Sequence, residues 1–301
     1  MSAIEINGHR VELSNLDKVF YEAAGVTKGD VIEYYRRIYP TMAPHLTGRP
    51  LTLHRYPDGI NGEDFYQKEA PDYIPGYVDT VEIEKVEDGK QQQLLCNNRE
   101  TLVYLANLGT VTFHVWLSRS DRLHIPDKLI FDLDPPGDDF EPVREAAFDL
   151  RQLLKELGLD PYVMTTGSAG LHVAVPLKRE LDFDPVRRLA SIMSSRLASL
   201  HPDSYTIEVR KAKRKGRLFL DTARNAYGQT SVAPYSLRAR EECSVATPLE
   251  WDELHASELH SRSYTIENIF RRLGQKEDPW KSFYDAAVSL GDYKEKIEAL
   301  S

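Results

Sequence analysis

The sequence predicts an α+β chain built on mixed β-sheet, and three observations predict it. Strand-like and helix-like segments alternate between Lys128 and Leu237. The run Val111-Thr-Phe-His-Val-Trp-Leu117 has the period of two that puts Val111, Phe113, Val115 and Leu117 on one strand face. Thr27-Lys-Gly-Asp30 is a capping box placed ahead of apolar residues at helical spacing.

In chain order, the capping box opens a helix through Val31, Tyr34 and Ile38, and Pro40 is expected to end it. A second helix spans Arg99 to Asn107, and Gly109 separates it from the 111–117 strand. Lys128 to Asp134 is a strand, Pro142 to Leu157 a helix with proline in its first turn, and Tyr162–Thr166 and Leu171–Val175 are strands around a tight turn. Pro185 to Leu200 is a further helix. Tyr205–Val209, Arg217–Asp221 and Thr230–Leu237 read as short strands, and the last fifty residues read as peripheral helices.

With 301 residues the chain can bury a core without disulfide or metal staples. Cys96 and Cys243 form no CxxC pair, which points to a reduced protein. The longest uncharged stretch, Thr101 to Ser118, contains Asn107, Gly109, His114 and three threonines and is too polar for a membrane span. The start MSAIEINGHR has no apolar signal region. A cytoplasmic protein without membrane contact is the expectation. Net charge is −9, against a protein that coats nucleic acid through overall charge, yet six of the eight residues from Arg210 to Arg217 are basic.

Three stretches can support chemistry. In Lys128-Leu-Ile-Phe-Asp-Leu-Asp-Pro135 the strand period sends Asp132 and Asp134 the same way, with Cα atoms about 6.6 Å apart. Like charges so close repel, and a hard divalent cation relieves the repulsion. The competing reading is a strand end with two surface acids. Thr165-Thr-Gly-Ser-Ala-Gly-Leu-His172 places Ser168 in a glycine-flanked turn and His172 at the start of the next strand, a set of donors suited to phosphate. An ordinary glycine-rich hairpin competes. Arg217-Leu-Phe-Leu-Asp221 delivers a third acid to a strand end, which a two-metal phosphoryl-transfer site requires. Arg214 and Arg238 lie on either side of it in sequence, and each can equally be a surface arginine.

Together, FDLDP, TTGSAGLHV, LFLDTARN and VAPYSLRAR, with LSNLDKVFY, TKGDVIEYY and GRPLTLHRYPDGINGEDFYQKE ahead of them, resemble the archaeo-eukaryotic primase superfamily. Within it they resemble the polymerase domain of DNA ligase D, the stand-alone polymerase of non-homologous end joining, over nearly the whole chain. The resemblance implies the primase catalytic fold, with mixed sheets flanked by helices around a central active-site cleft. It implies a single catalytic domain over 1–301, in which 1–120 contains a 5′-phosphate pocket, 121–240 the core motifs and 241–301 the peripheral helices.

Residue by residue, the resemblance makes Asp132, Asp134 and Asp221 the catalytic, metal-binding acids. Arg55, Ser168, His172, Arg214 and Arg238 would contact the nucleotide, and Asn15, Lys18 and Lys28 would hold a DNA 5′-phosphate. For Lys28, backbone N–H groups at the helix start favour an anion as well. Phe65 and Tyr66 would stack on the template, with core packing the alternative for one of them. His114 resembles a histidine that binds an additional metal, although a structural role is the simpler reading of the residue itself. His54 stands where the family frequently has lysine. Ile83 to Gln93 occupies the place of a flexible loop that aligns two DNA ends.

The implied activity is template-directed nucleotidyl transfer with Mn²⁺ or Mg²⁺, filling gaps at 5′-phosphorylated ends and preferring ribonucleotides. The implied partners are gapped DNA, nucleoside triphosphates, Ku and a separate ATP-dependent DNA ligase, because the chain has no KxDG adenylation motif. A primase that starts chains de novo and a non-catalytic end-bridging module are the alternatives.

Overall fold

The structure is a computed structural model that describes residues 2–84 and 89–301. The chain divides into two compact units. The first comprises Met1–Asp121, Thr230–Ala246 and Tyr264–Arg272, and the second Arg122–Gln229, Thr247–Ser263 and Leu273–Ser301.

In the first unit, strands Thr230–Val232, Thr110–Trp116, Leu51–Arg55 and Phe65–Gln67 lie in that order in an antiparallel sheet. Thr110–Trp116 is buried on both faces, with only His114 partly exposed, so the alternation read from the sequence does not mark a solvent side. The first helix, Lys28–Leu46, starts at the expected capping box, in which Thr27 accepts from the Asp30 N–H and Asp30 accepts from the Thr27 N–H. It does not stop at Pro40. Pro40 and Pro44 each remove one ladder bond, but Met42, His45 and Leu46 are buried, and their packing holds the last two turns helical. Tyr34 and Tyr35 are fully packed and donate to the Tyr235 and Val111 carbonyls. Helix Arg99–Asn107 is capped by Asn98 as its sequence requires.

The stretch 83–93, expected as a loop, belongs in its described part to a hairpin. Strand Thr80–Glu84 pairs antiparallel with Lys90–Leu94, Ile83 opposite Gln91. Residues 85–88 of that expected loop lie outside the described residues.

The second unit is a six-stranded sheet in the order Tyr205–Thr206, Leu218–Asp221, Lys128–Asp134, Leu171–Pro176, Tyr162–Thr165, Thr247–Leu249. Every neighbouring pair is antiparallel except the first. Helices Glu141–Leu157 and Phe183–Leu200 pack on the Lys128–Asp134 strand and on each other. The strand expected over 205–209 stops at Thr206, because the chain turns where the Glu208 N–H is taken by the Thr206 hydroxyl. The strand expected over 230–237 stops at Val232.

The terminal stretch 241–301 is less helical than its sequence suggests, with short helices at Trp251–His255, Ile269–Gln275, Leu290–Tyr293 and Lys294–Glu298. Parts of it are internal: Trp280 and Phe283 are buried and stacked, and Trp280 donates to the Val163 carbonyl of the sheet. No helix among the described residues is long and apolar enough to cross a membrane.

Candidate active site

Asp132 sits in the middle of the second unit's sheet, directly opposite His172 on one neighbouring strand and Asp221 on the other. Directly opposed residues on adjacent strands point to the same face, so the pairing alone converges these side chains. Asp134, two residues on, points the same way. One carboxylate oxygen from each of Asp132, Asp134 and Asp221 lies within 4.8 Å of the others.

The electrostatics agree with a site short of positive charge. Burial, followed by repulsion from Asp132 and Asp221, pushes the Asp134 carboxyl up to about 6. Burial also works against ionised Asp132, but His172 and Arg224 outweigh it and hold that carboxyl below its usual range. His172 Nε2 is 3.4 Å from Asp132 Oδ1, while its Nδ1 is buried without a hydrogen-bond partner. Three hard oxygen donors, one kept reluctant to ionise by burial and by the other two, fit a divalent cation.

Two residues that the motif reading passed over help to build this site. Arg224 reaches Asp132 from the turn Ala223–Asn225 after the third acid's strand. Asn225 is fully buried and clamps the Lys128–Asp134 strand, accepting from the Ile130 N–H and donating to the Ile130 carbonyl. The LFLDTARN string contained both, but only the turn geometry shows what they touch.

The glycine-flanked turn differs from its expected form. The N–H groups of Ser168 and Gly170 are directed at the Thr166 hydroxyl, so they are not an open anion cradle. Gly167 has φ +67°, as expected of a turn glycine, but Gly170 does not have positive φ. Its glycine is needed for closeness: a Cβ there would meet the Leu133 carbonyl oxygen at 2.0 Å. Ser168 is fixed through its carbonyl, which accepts from Ser261. Arg214 folds back onto its own loop, donating to the Glu208 and Val209 carbonyls, with its guanidinium 3.9 Å from the Phe219 ring centroid.

The remaining expected residues belong to the first unit. Among the described residues the metal-capable acidic group does not include His114, whose ring centroid lies 6.0 Å from that of Tyr66. His54, at the frequent-lysine position, is stacked on Tyr66 and hydrogen-bonded to Asp64. Arg55 donates to the Leu108 carbonyl and to Gln67 and lies over Phe65. Arg238 has its backbone tied to Ser244 and Tyr21. Phe65 is 45% and Tyr66 59% exposed, which overturns core packing for either ring.

Asn15, Lys18 and Lys28 are brought together by the loop that wraps the start of the first helix. Asn15 holds φ +54°, and its carbonyl accepts from the Lys18 N–H. Lys28 is buried, and its Nζ donates to the Ser14 carbonyl at 2.8 Å and to Ser14 Oγ at 3.3 Å. Burial first, then the nearby charges of Lys18 and Arg55, lower its pKa. Lys18 is paired with Asp58. One expectation fails: the N–H groups of Lys28, Gly29 and Asp30 are already used by Lys18 O, Leu16 O and Thr27 Oγ1. An anion there would be held by ammonium groups, not by the helix start.

A sheet that lines up three carboxylates and a histidine across adjacent strands, beside an arginine, has the donor set of the divalent-metal phosphoryl-transfer proteins. Residues 27–280 match the family model described as LigD, primase-polymerase domain, and the chain belongs to that family. It is 35% identical over 272 residues to the multifunctional non-homologous end joining protein LigD of Mycolicibacterium smegmatis, covering 89% of this chain and 35% of that protein. It is 31% identical over 277 residues to the bifunctional non-homologous end joining protein LigD of Bacillus subtilis, covering 91% of this chain and 44% of that one. The chain thus spans less than half the length of these relatives. Among solved structures it matches the polymerase domain from Mycobacterium tuberculosis ligase D in complex with DNA, with a TM-score of 0.86 and 29% identity over 93% of this chain and 99% of that one. The α+β fold with mixed sheets and flanking helices is therefore the LigD polymerase-domain fold.

Proposed function

We propose that this chain is a template-directed nucleotidyltransferase that extends a 3′-hydroxyl across gaps at 5′-phosphorylated DNA ends in non-homologous end joining. The observation that supports it most is the convergence of Asp132, Asp134 and Asp221 beside His172. Two divalent ions, Mn²⁺ or Mg²⁺, held by those acids would activate the primer hydroxyl and offset the triphosphate's charge. His172 keeps Nε2 toward Asp132 and leaves Nδ1 unsatisfied, as a nucleotide phosphate contact requires. Ser168 and Arg214 belong to the same sheet unit, and the roles of Arg55 and Arg238 at the nucleotide are part of the same proposal.

Lys18 and Lys28, set in the loop shaped by Asn15, would hold the downstream 5′-phosphate, and the exposed Phe65 and Tyr66 would stack on template bases. Release of pyrophosphate, preference for ribonucleotides, and partnership with Ku and an ATP-dependent ligase complete the reading. The deciding experiment is Mn²⁺-dependent extension on gapped DNA with and without the 5′-phosphate, using each nucleotide type. Extension that depends on the 5′-phosphate is expected, and equal extension on both substrates would favour a primase. Deoxynucleotide insertion as fast as ribonucleotide insertion would remove the sugar preference. Asp132→Ala and Asp221→Ala should each abolish extension while DNA binding persists, and unchanged rates would refute the metal assignment.

A further inference from the structure

We propose that a cavity of about 510 Å³ walled by Tyr73, Tyr77 and Tyr104 receives an unpaired nucleobase, the terminal base of the strand whose 5′-phosphate Lys28 holds. The inference rests on the reading of Asn15, Lys18 and Lys28 as a 5′-phosphate pocket and adds a second contact to it.

The cavity lies within the first unit, and its volume falls in the range that takes a small organic ligand. Part of its aromatic wall is packed ring against ring. The Tyr77 ring centroid is 5.2 Å from that of His9 and 6.3 Å from that of Tyr104, the latter pair edge to face. Tyr73 is 83% exposed, a large ring offered to solvent. Arg10 and Glu12 add a donor and an acceptor to the lining, as the edge of a base needs.

Ser14 joins the cavity to the cations. It lines the cavity, and its carbonyl and hydroxyl both accept from Lys28 Nζ. Its own N–H donates to Asn107 Oδ1, and Asn107 Nδ2 donates to the Glu12 carbonyl, so the wall and the buried ammonium are braced as one piece. Arg55 acts electrostatically on both Lys28 and Tyr104, which places positive charge along the same path.

A phosphate at Lys28 and the base of the same nucleotide are separated by a single sugar. Aromatic faces beside backbone-binding cations are the combination that takes a single-stranded nucleotide, since every base has a face to stack. A paired terminal base has its edge taken by its partner and its inner face by the neighbouring pair. The cavity therefore selects a base that has left the stack, which is least costly at a mismatched or frayed end.

The test places 2-aminopurine at the 5′-terminal position of the downstream strand of gapped DNA, opposite either a mismatched base or thymine. Titration with the wild-type chain should quench the mismatched probe well beyond the paired one. Tyr73→Ala and Arg10→Ala, both at exposed positions, should weaken the affinity for the mismatched end, Tyr73→Ala by about tenfold, with loss of quenching. Undiminished quenching in both variants, or equal quenching of paired and mismatched probes, would overturn the proposal. Anisotropy with 5′-phosphate and 5′-hydroxyl strands reads the phosphate pocket separately. A wild-type chain indifferent to the phosphate sinks that reading, whatever the probe's fluorescence does.

Discussion

Arg224 Nε lies 3.3 Å from Asp132 Oδ2, on the carboxylate that also faces His172. The arginine side chain is 43% exposed, whereas Asp132 is buried, so a solvent-facing cation is paired with a buried anion. The guanidinium stands at one of the oxygens that a divalent ion would use. Arg224→Ala should therefore raise Mn²⁺ affinity severalfold, as read by calorimetry. A fall in affinity would show instead that Arg224 positions the carboxylate.

Asp134 sets a pH dependence. Its folded-state pKa of about 6 lies above the ordinary 3.8, so the folded chain holds a proton that the unfolded chain has released. Stability of the metal-free protein should fall as pH rises from 4 through 6, because across that window the native state binds more protons. Thermal unfolding in chelator should show the decline, Asp134→Asn should flatten it, and Mn²⁺ should add most stability above pH 6.

Gly170→Ala forces a methyl group onto the Leu133 carbonyl, 2.0 Å away, in the strand between the two acids. The turn must retreat, at a cost of about 1–3 kcal/mol or more. A clear drop in melting temperature is expected together with weaker Mn²⁺ binding. An unaltered melting temperature would mean that the turn has room to move.

The proposed 5′-phosphate pocket should respond to salt and to alkali. Its helix N–H groups are already bonded, so recognition rests on Lys18 and Lys28, and preference for a 5′-phosphate should decline as ionic strength rises. Lys28 titrates below an ordinary lysine, so the preference should fade as pH climbs through that lowered value, earlier than free lysine would predict. Anisotropy at several pH values measures it, and Lys28→Arg should move the loss to higher pH.

Local signals in the sequence decide some parts of this structure, and long-range packing decides the rest. Helix Arg99–Asn107 and strand Lys128–Asp134 have the expected bounds because periodicity and capping, both local, decide them. Pro40 does not end its helix because burial of residues beyond it outweighs the hydrogen bonds lost at Pro40 and Pro44. The Thr80–Glu84 and Lys90–Leu94 hairpin was hidden behind three consecutive glutamines, although Val81 and Ile83 alternate as strand residues do. At the site, the acids were legible because strand ends announce them. Arg224's contact with Asp132 was not, nor was the tyrosine cavity, since both join residues whose proximity only the fold creates.

The alignment of Asp132 with His172 and Asp221 makes the site indivisible. Sliding either flanking strand by one position would turn its contribution to the opposite side of the sheet, leaving no intermediate arrangement with partial function. If the three acids hold a divalent ion as proposed, cation affinity is a direct gauge of whether those three strands have mated correctly. Lesions far from the acids, if they loosen that mating, should silence the protein as completely as removing a carboxylate.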